Sequence, residues 1–141
     1  MRPWIVEFFV FVSEQWMLVS VLMVIVYLFA INERIKSGKP ISSHVATRML
    51  NTDEAVLLDI REAKDFKAGH IAGAFNIPHT KLQDRLVELE AHREKAIIIA
   101  DKAGQHTGAI GRRLQQKEFN VQRLTGGMME WQNQKLPVVK D

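Results

Sequence analysis

The feature that most constrains this chain is an uninterrupted apolar run near its start. From Gln15 to Asn32 the sequence QWMLVSVLMVIVYLFAIN carries no charge, and Glu14 and Glu33 bracket it. At the rise of an α-helix this run covers about 27 Å, close to the ~30 Å hydrocarbon core of a bilayer. In lipid the backbone amides must pair internally, so the run is expected to be a transmembrane helix over residues 15–32. Trp16 and Tyr27 suit the interface, although they lie too close together to mark both faces.

Two readings hold for the lead-in at residues 1–14. PWIVEFFVFV (Pro3–Val12) is also apolar. It either lies in the interface as an amphipathic segment, or joins one long helix from Pro3 to Ile31. The second reading places Glu7 and Glu14, seven residues apart, on one face toward a polar partner, at a cost of a few kcal/mol each in lipid. Arg2 alone precedes the span, whereas Arg34, Lys36, Lys39 and Arg48 follow it. The positive-inside rule puts the N-terminus outside and the remainder in the cytoplasm. LFAINERIK after the run lacks a small-x-small cleavage site, which argues against a removed signal peptide.

Residues 33–40 read as a basic linker, with Gly38 and Pro40 as breakers and lysines suited to anionic headgroups. Residues 41–141 read as a soluble domain large enough to bury a core unaided. Ser42 or Ser43 caps a helix whose apolar face is Val45, Met49 and Leu50. AVLLDI (Ala55–Ile60) and AIIIA (Ala96–Ala100) are short, branched, wholly apolar runs, expected as strands buried on both faces. VQRLT is a third strand. Between them come a short helix ending at Gly69, a helix over 79–92 with Leu82, Leu86 and Leu89 on one side, a loop DKAGQH, and a helix from Thr107 with Ile110 and Leu114 inward. GGMMEWQNQ forms a turn and a last helix. Strands alternating with helices imply βαβ units and a parallel sheet with helices on both faces.

Composition excludes several classes of function. There are 19 basic and 16 acidic residues and no basic-aromatic interleaving, so no nucleic-acid partner is expected. Cysteine is absent altogether, which removes disulfides, thiolate metal sites and any cysteine nucleophile. His44, His70, His79, His92 and His106 show no ligand spacing, so neither a metal nor a cofactor is expected.

LLDIREAKDFKAGHIAGAFNIP (Leu57–Pro78) resembles the opening motif of the rhodanese family, and LTGGMMEW (Leu124–Trp131) its closing motif. IIIADKAGQHTGAIGRRL (Ile97–Leu114) sits where that family has its active-site strand, loop and helix. The resemblance covers residues 41–137 and implies a rhodanese-like α/β fold. With one N-terminal span, the chain is similar to bacterial inner-membrane proteins that carry such a domain.

The resemblance also locates the chemistry. The family cysteine is matched by Asp101, the loop runs through Lys102, Ala103, Gly104, Gln105 and His106, and Thr107 is a cap for the next helix. An aspartate there cannot carry a persulfide. In a cradle of backbone N–H groups at a helix N-terminus, its carboxylate would occupy the place of the anion. The resemblance makes Asp59, Arg61, Gly69, His70, Gly126, Gly127 and Trp131 structural. Two classes of function follow: a non-catalytic module that binds a protein partner or an anion at the membrane, or altered chemistry through Asp101 and His106. His106 either pairs with Asp101 across the loop or faces solvent. A glycine is usual where Glu118 stands, and a left-handed glutamate costs roughly 1 kcal/mol, so this helix end is expected to be built differently.

Overall fold

A computed structural model describes residues 2–140, apart from the side chain of Arg34. The chain divides into two compact units, residues 1–33 and 34–141.

The first unit is helical. Helix α1 (Pro3–Glu14) begins with a proline at its first turn, where the missing N–H costs nothing. Helix α2 (Trp16–Lys36) follows, and Gln15 between them is non-helical, with φ −106° and ψ 27°. The continuous Pro3–Ile31 helix is therefore not what forms. Within α2, the stretch Trp16–Glu33 is long and apolar enough to cross a membrane, with a mean hydropathy of 2.0. Its large apolar side chains are exposed.

The linker expected at 33–40 is largely ordered. Residues 33–36 complete α2, and Lys39–Ile41 form an edge strand, β1, which the sequence reading did not foresee. Ser37 is buried against helix α5 (Thr107–Gln116), and Gly38 is buried against Val121. A Cβ at Gly111 of α5 would lie 2.0 Å from the Ser37 carbonyl oxygen, so only glycine admits this approach. With its amide nitrogen facing them, Gln115 donates to the carbonyls of Ile35 and Lys36, each at 2.7 Å.

The remaining elements are α3 (Ser43–Asn51), β2 (Ala55–Asp59), α4 (Ala63–Ala68), β3 (Phe75–Asn76), β4 (Ala96–Ala100), β5 (Val121–Leu124) and α6 (Gly127–Asn133). Five strands form one sheet in the order β1-β5-β4-β2-β3, with every pair parallel. The fold is thus the parallel α/β sheet expected, with two strands added. β4 is central, and all five of its residues are buried. Side chains alternate across the sheet. Leu57, Ile98, Leu124, Met128 and Trp131 share one core layer with α3 and α6. Leu58, Ile97, Ile99, Ile110 and Leu114 share the other with α5. At ~1.5–3 kcal/mol for each large apolar side chain, these layers dominate the stability.

Residues 79–92 are not an α-helix. They form two 3₁₀ segments, His79–Lys81 and Gln83–His92, the second interrupted by a non-helical Arg85 at φ −117°. Leu82 and Leu89 are buried and Leu86 half-buried, so the apolar side was read correctly although the helix type was not. Ser42, not Ser43, caps α3, its hydroxyl accepting from the Val45 N–H at 3.3 Å.

Candidate functional site

The functional loop lies where β4 ends, at the carboxyl edge of the central strands, where open α/β sheets hold their ligands. Asp101 follows β4 directly and is 4% exposed. Its Oδ2 accepts the backbone N–H of His106 at 2.9 Å. The carboxylate closes a five-residue loop back on itself and takes one of the orphan donors at the start of α5. Between these residues, Gly104 turns the chain at φ 88°, in the left-handed region. Lys102, Ala103 and Gln105 are exposed on the loop rim.

One expectation about this loop is corrected. Thr107 is not the cap of α5. His106 occupies that position, while Thr107 Oγ1 donates to the Gly104 carbonyl at 3.0 Å and is buried. His106 joins Asp101 through its backbone, while its exposed imidazole stacks on His79, with ring centroids 4.1 Å apart and planes 10° from parallel.

The closing motif supports the loop from beneath. Gly126 and Gly127 both adopt positive φ, 74° and 59°. They bring the first N–H groups of α6 onto the loop: Met128 N donates to the Asp101 carbonyl at 2.7 Å and Met129 N to that of Lys102 at 2.8 Å. A Cβ on Gly127 would stand 2.3 Å from the Asp101 carbonyl oxygen, so this close approach needs glycine. Trp131 is buried and anchors the tail, its Nε1 donating to the Pro137 carbonyl at 3.0 Å.

The opening motif is a separate cluster. Asp59 is fully buried and takes Arg61 through Nε and Nη2, the shortest contact being 2.7 Å. Arg61 Nη2 also donates to the Gly69 carbonyl at 2.7 Å. Asn76 Nδ2 donates to the carbonyls of both Asp59 and Arg61, each at 2.9 Å. His70 is buried, stacked on Phe66 with centroids 3.7 Å apart, and its Nδ1–H donates to the Phe66 carbonyl at 2.7 Å. The Asp59 carboxylate is therefore committed to Arg61 and to the turn after β2.

Sequence reasoning missed the neighbours of the loop. His79, Thr80, His106, Ala109, Ile110 and Arg113 line a cleft of about 440 Å³ beside it. The available signal was topological, since His79 follows the Ile77-Pro78 end of the opening motif and so emerges at the same sheet edge as the loop after β4. Among the described residues there is no cluster of three or more histidine, aspartate or glutamate side chains that could hold a metal ion.

A parallel sheet with a tight loop between its central strand and α5, braced by a Gly-Gly turn, defines the rhodanese class of α/β domain. The rhodanese-like domain model matches residues 42–134. The chain belongs to the rhodanese-like family. It is 35% identical over 104 residues to the uncharacterized protein YibN of Escherichia coli strain K12, covering 72% of this chain and 73% of YibN. A sulfurtransferase of Allochromatium vinosum is 28% identical over 98 residues, covering 70% of this chain and 91% of that protein. The crystal structure of a rhodanese-related protein from Thermoplasma volcanium superposes with a TM-score of 0.65 at 28% identity, covering 73% of this chain and 99% of that one.

Proposed function

We propose that this chain is a membrane-anchored rhodanese-like domain that performs no cysteine-dependent sulfur transfer and acts as a recognition module. The observation that carries the reading is Asp101, a buried carboxylate held by the His106 N–H at 2.9 Å, which the resemblance of the flanking motifs matches to the family cysteine. Sulfur transfer by this family's route needs a thiolate that attacks the donor and stores the sulfur as a persulfide. The chain contains no cysteine to do so. Its carboxylate satisfies the loop from within, keeping the shape of the site while removing what would be handed over.

The span in α2 supports anchoring. The basic residues after it support a cytoplasmic domain with the N-terminus outside, and the resemblance to bacterial inner-membrane proteins that carry such a domain favours the inner membrane. Tethering raises the domain's local concentration beside other membrane proteins, which suits a module that holds a protein partner.

Two measurements test the proposal. The full chain in detergent should show no thiosulfate:cyanide sulfur transfer above the buffer blank, and measurable turnover would end the reading. Crosslinking in membranes should recover the same partners from the intact chain and from a chain lacking residues 1–36. Partners lost with the anchor would assign recognition to the helix and not to the domain.

A further inference from the structure

Asp101 turns its carboxylate onto its own loop, and the cleft beside that loop is lined by side chains able to donate. Four polar side chains line it: His79 and Thr80 from the first 3₁₀ segment, His106 at the start of α5, and Arg113 two turns further on. No acidic side chain is among the lining residues. Arg113 is exposed and makes no hydrogen bond or ion pair with the described residues.

The two histidines are held in place. The His79 backbone N–H and its Nδ1 both face the Ile60 carbonyl, at 3.0 Å and 3.4 Å. A carbonyl only accepts, so Nδ1 carries the hydrogen and Nε2 remains for a ligand. His106 is fixed by its backbone bond to Asp101, and its ring lies flat against His79. Ala109 and Ile110 supply an apolar wall. An uncommitted guanidinium, two stacked imidazoles, a hydroxyl and an apolar wall match a ligand with a compact doubly charged oxyanion on an organic group.

From this arrangement we infer that the His79–His106–Arg113 cleft binds a phosphate monoester, the phosphoryl oxygens taking Arg113 and the imidazoles while the organic group rests on Ala109 and Ile110. Arginine offers paired donors in a planar fork that suits such an oxyanion. The inference rests on the recognition reading in one respect, that the ligand is held and not turned over.

The test uses the full chain in a phosphate-free maltoside detergent. Inorganic phosphate, phenyl phosphate and acetate are titrated separately while the imidazole resonances of His79 and His106 are followed by NMR. Saturable movement of both rings with phosphate is expected, with phenyl phosphate binding more tightly than phosphate. R113Q should weaken phenyl phosphate binding about tenfold, the loss of one charge-assisted contact. K117Q, which removes a charge one turn beyond Arg113 and outside the residues that line the cleft, should leave it within about twofold. Equal weakening by K117Q, unchanged binding in R113Q, acetate binding as tight as phosphate, or no saturable movement would each overturn the inference. Inorganic phosphate binding as tightly as the ester would overturn the role of the apolar wall. Should phosphate bind while the chain also turns over thiosulfate, the recognition reading fails and the cleft stands.

Discussion

Asp101 Oδ2 lies 2.9 Å from the backbone nitrogen of His106, so this buried side chain serves as the lock of its own loop. Removing that acceptor leaves a helix-start N–H without its partner and a small void in a buried position. D101A should lose about 1–2 kcal/mol of stability in urea denaturation. D101N keeps an acceptor oxygen and should lose less. If D101A is as stable as the parent, the loop is held by something other than this bond.

Gly127 should tolerate no side chain. Its φ is 59° and an added Cβ would stand 2.3 Å from the Asp101 carbonyl oxygen, a backbone atom with no room to give. G127A therefore combines left-handed strain with a direct clash, and a loss of more than about 2 kcal/mol is expected. Hydrogen exchange should speed first at Met128 and Met129, whose N–H groups donate to the loop carbonyls. A variant with parental stability and exchange would refute the bracing role.

Much of this was legible before the structure. Ala96–Ala100 reads as a central strand because five apolar residues in a row suit burial on both faces, and burial on both faces is what β4 shows. The loop was locatable because its flanking motifs are tied to backbone needs: an Asp-x-Arg fork after β2 and a Gly-Gly turn before α6. β1 was illegible because Lys39, Pro40 and Ile41 carry no strand periodicity. They pair with β5 where Ser37 packs on Gly111 and Gly38 on Val121, contacts set by tertiary packing. The 3₁₀ character of residues 79–92 was hidden for a related reason, since the leucine spacing of an apolar side does not distinguish it from an α-helix. Neither could the stack of His79 on His106 be read, because 27 residues of chain separate them.

The Asp59–Arg61 pair should behave as a buried unit. Asp59 is fully buried, and Arg61 also holds the Gly69 carbonyl, so one guanidinium fixes both ends of the segment around α4. R61A leaves an uncompensated buried carboxylate and should cost about 3–5 kcal/mol. R61K retains a charge but lacks the planar fork that reaches Asp59 and Gly69 together, so an intermediate loss is expected. Equal stability of R61A and R61K in chemical denaturation would count against the fork.

Acid titration should report two surface pairs. Arg85 and Arg93 hydrogen-bond Glu88 and Glu90, and this holds both carboxyls below the usual carboxylate range. A carboxyl depressed in the folded state adds stability above its unfolded pKa and loses it as pH falls through the folded value. The contribution is small because both groups are exposed to solvent. NMR titration should show the Glu88 midpoint rising in R85Q and the Glu90 midpoint rising in R93Q, with both differences shrinking in high salt. Midpoints that do not move in these variants would refute the pairing.

The helix end at Glu118 is built as a glycine would build it, contrary to the expectation from sequence. Glu118 takes φ 68°, its N–H donates to Gln115 O at 2.9 Å, and Phe119 N–H donates to Leu114 O at 3.1 Å. This is the Schellman pattern, with Phe119 and Leu114 sharing one core layer. The same pair of bonds closes α3 at Asp53, φ 59°, and α6 at Lys135, φ 57°. Three helices therefore end on a strained non-glycine residue, each held by the burial or backbone bonding that follows it. Glycine relieves the clash between Cβ and the backbone, so E118G and K135G should each raise stability by roughly 1 kcal/mol. D53G should gain less, because Asp53 also takes Lys95 Nζ at 2.7 Å. The sites lie on different helices without shared partners, so the E118G/K135G double variant should gain close to the sum in thermal or urea unfolding. Destabilisation by either single change would mean that the side chain at that position contributes more than its strained backbone costs.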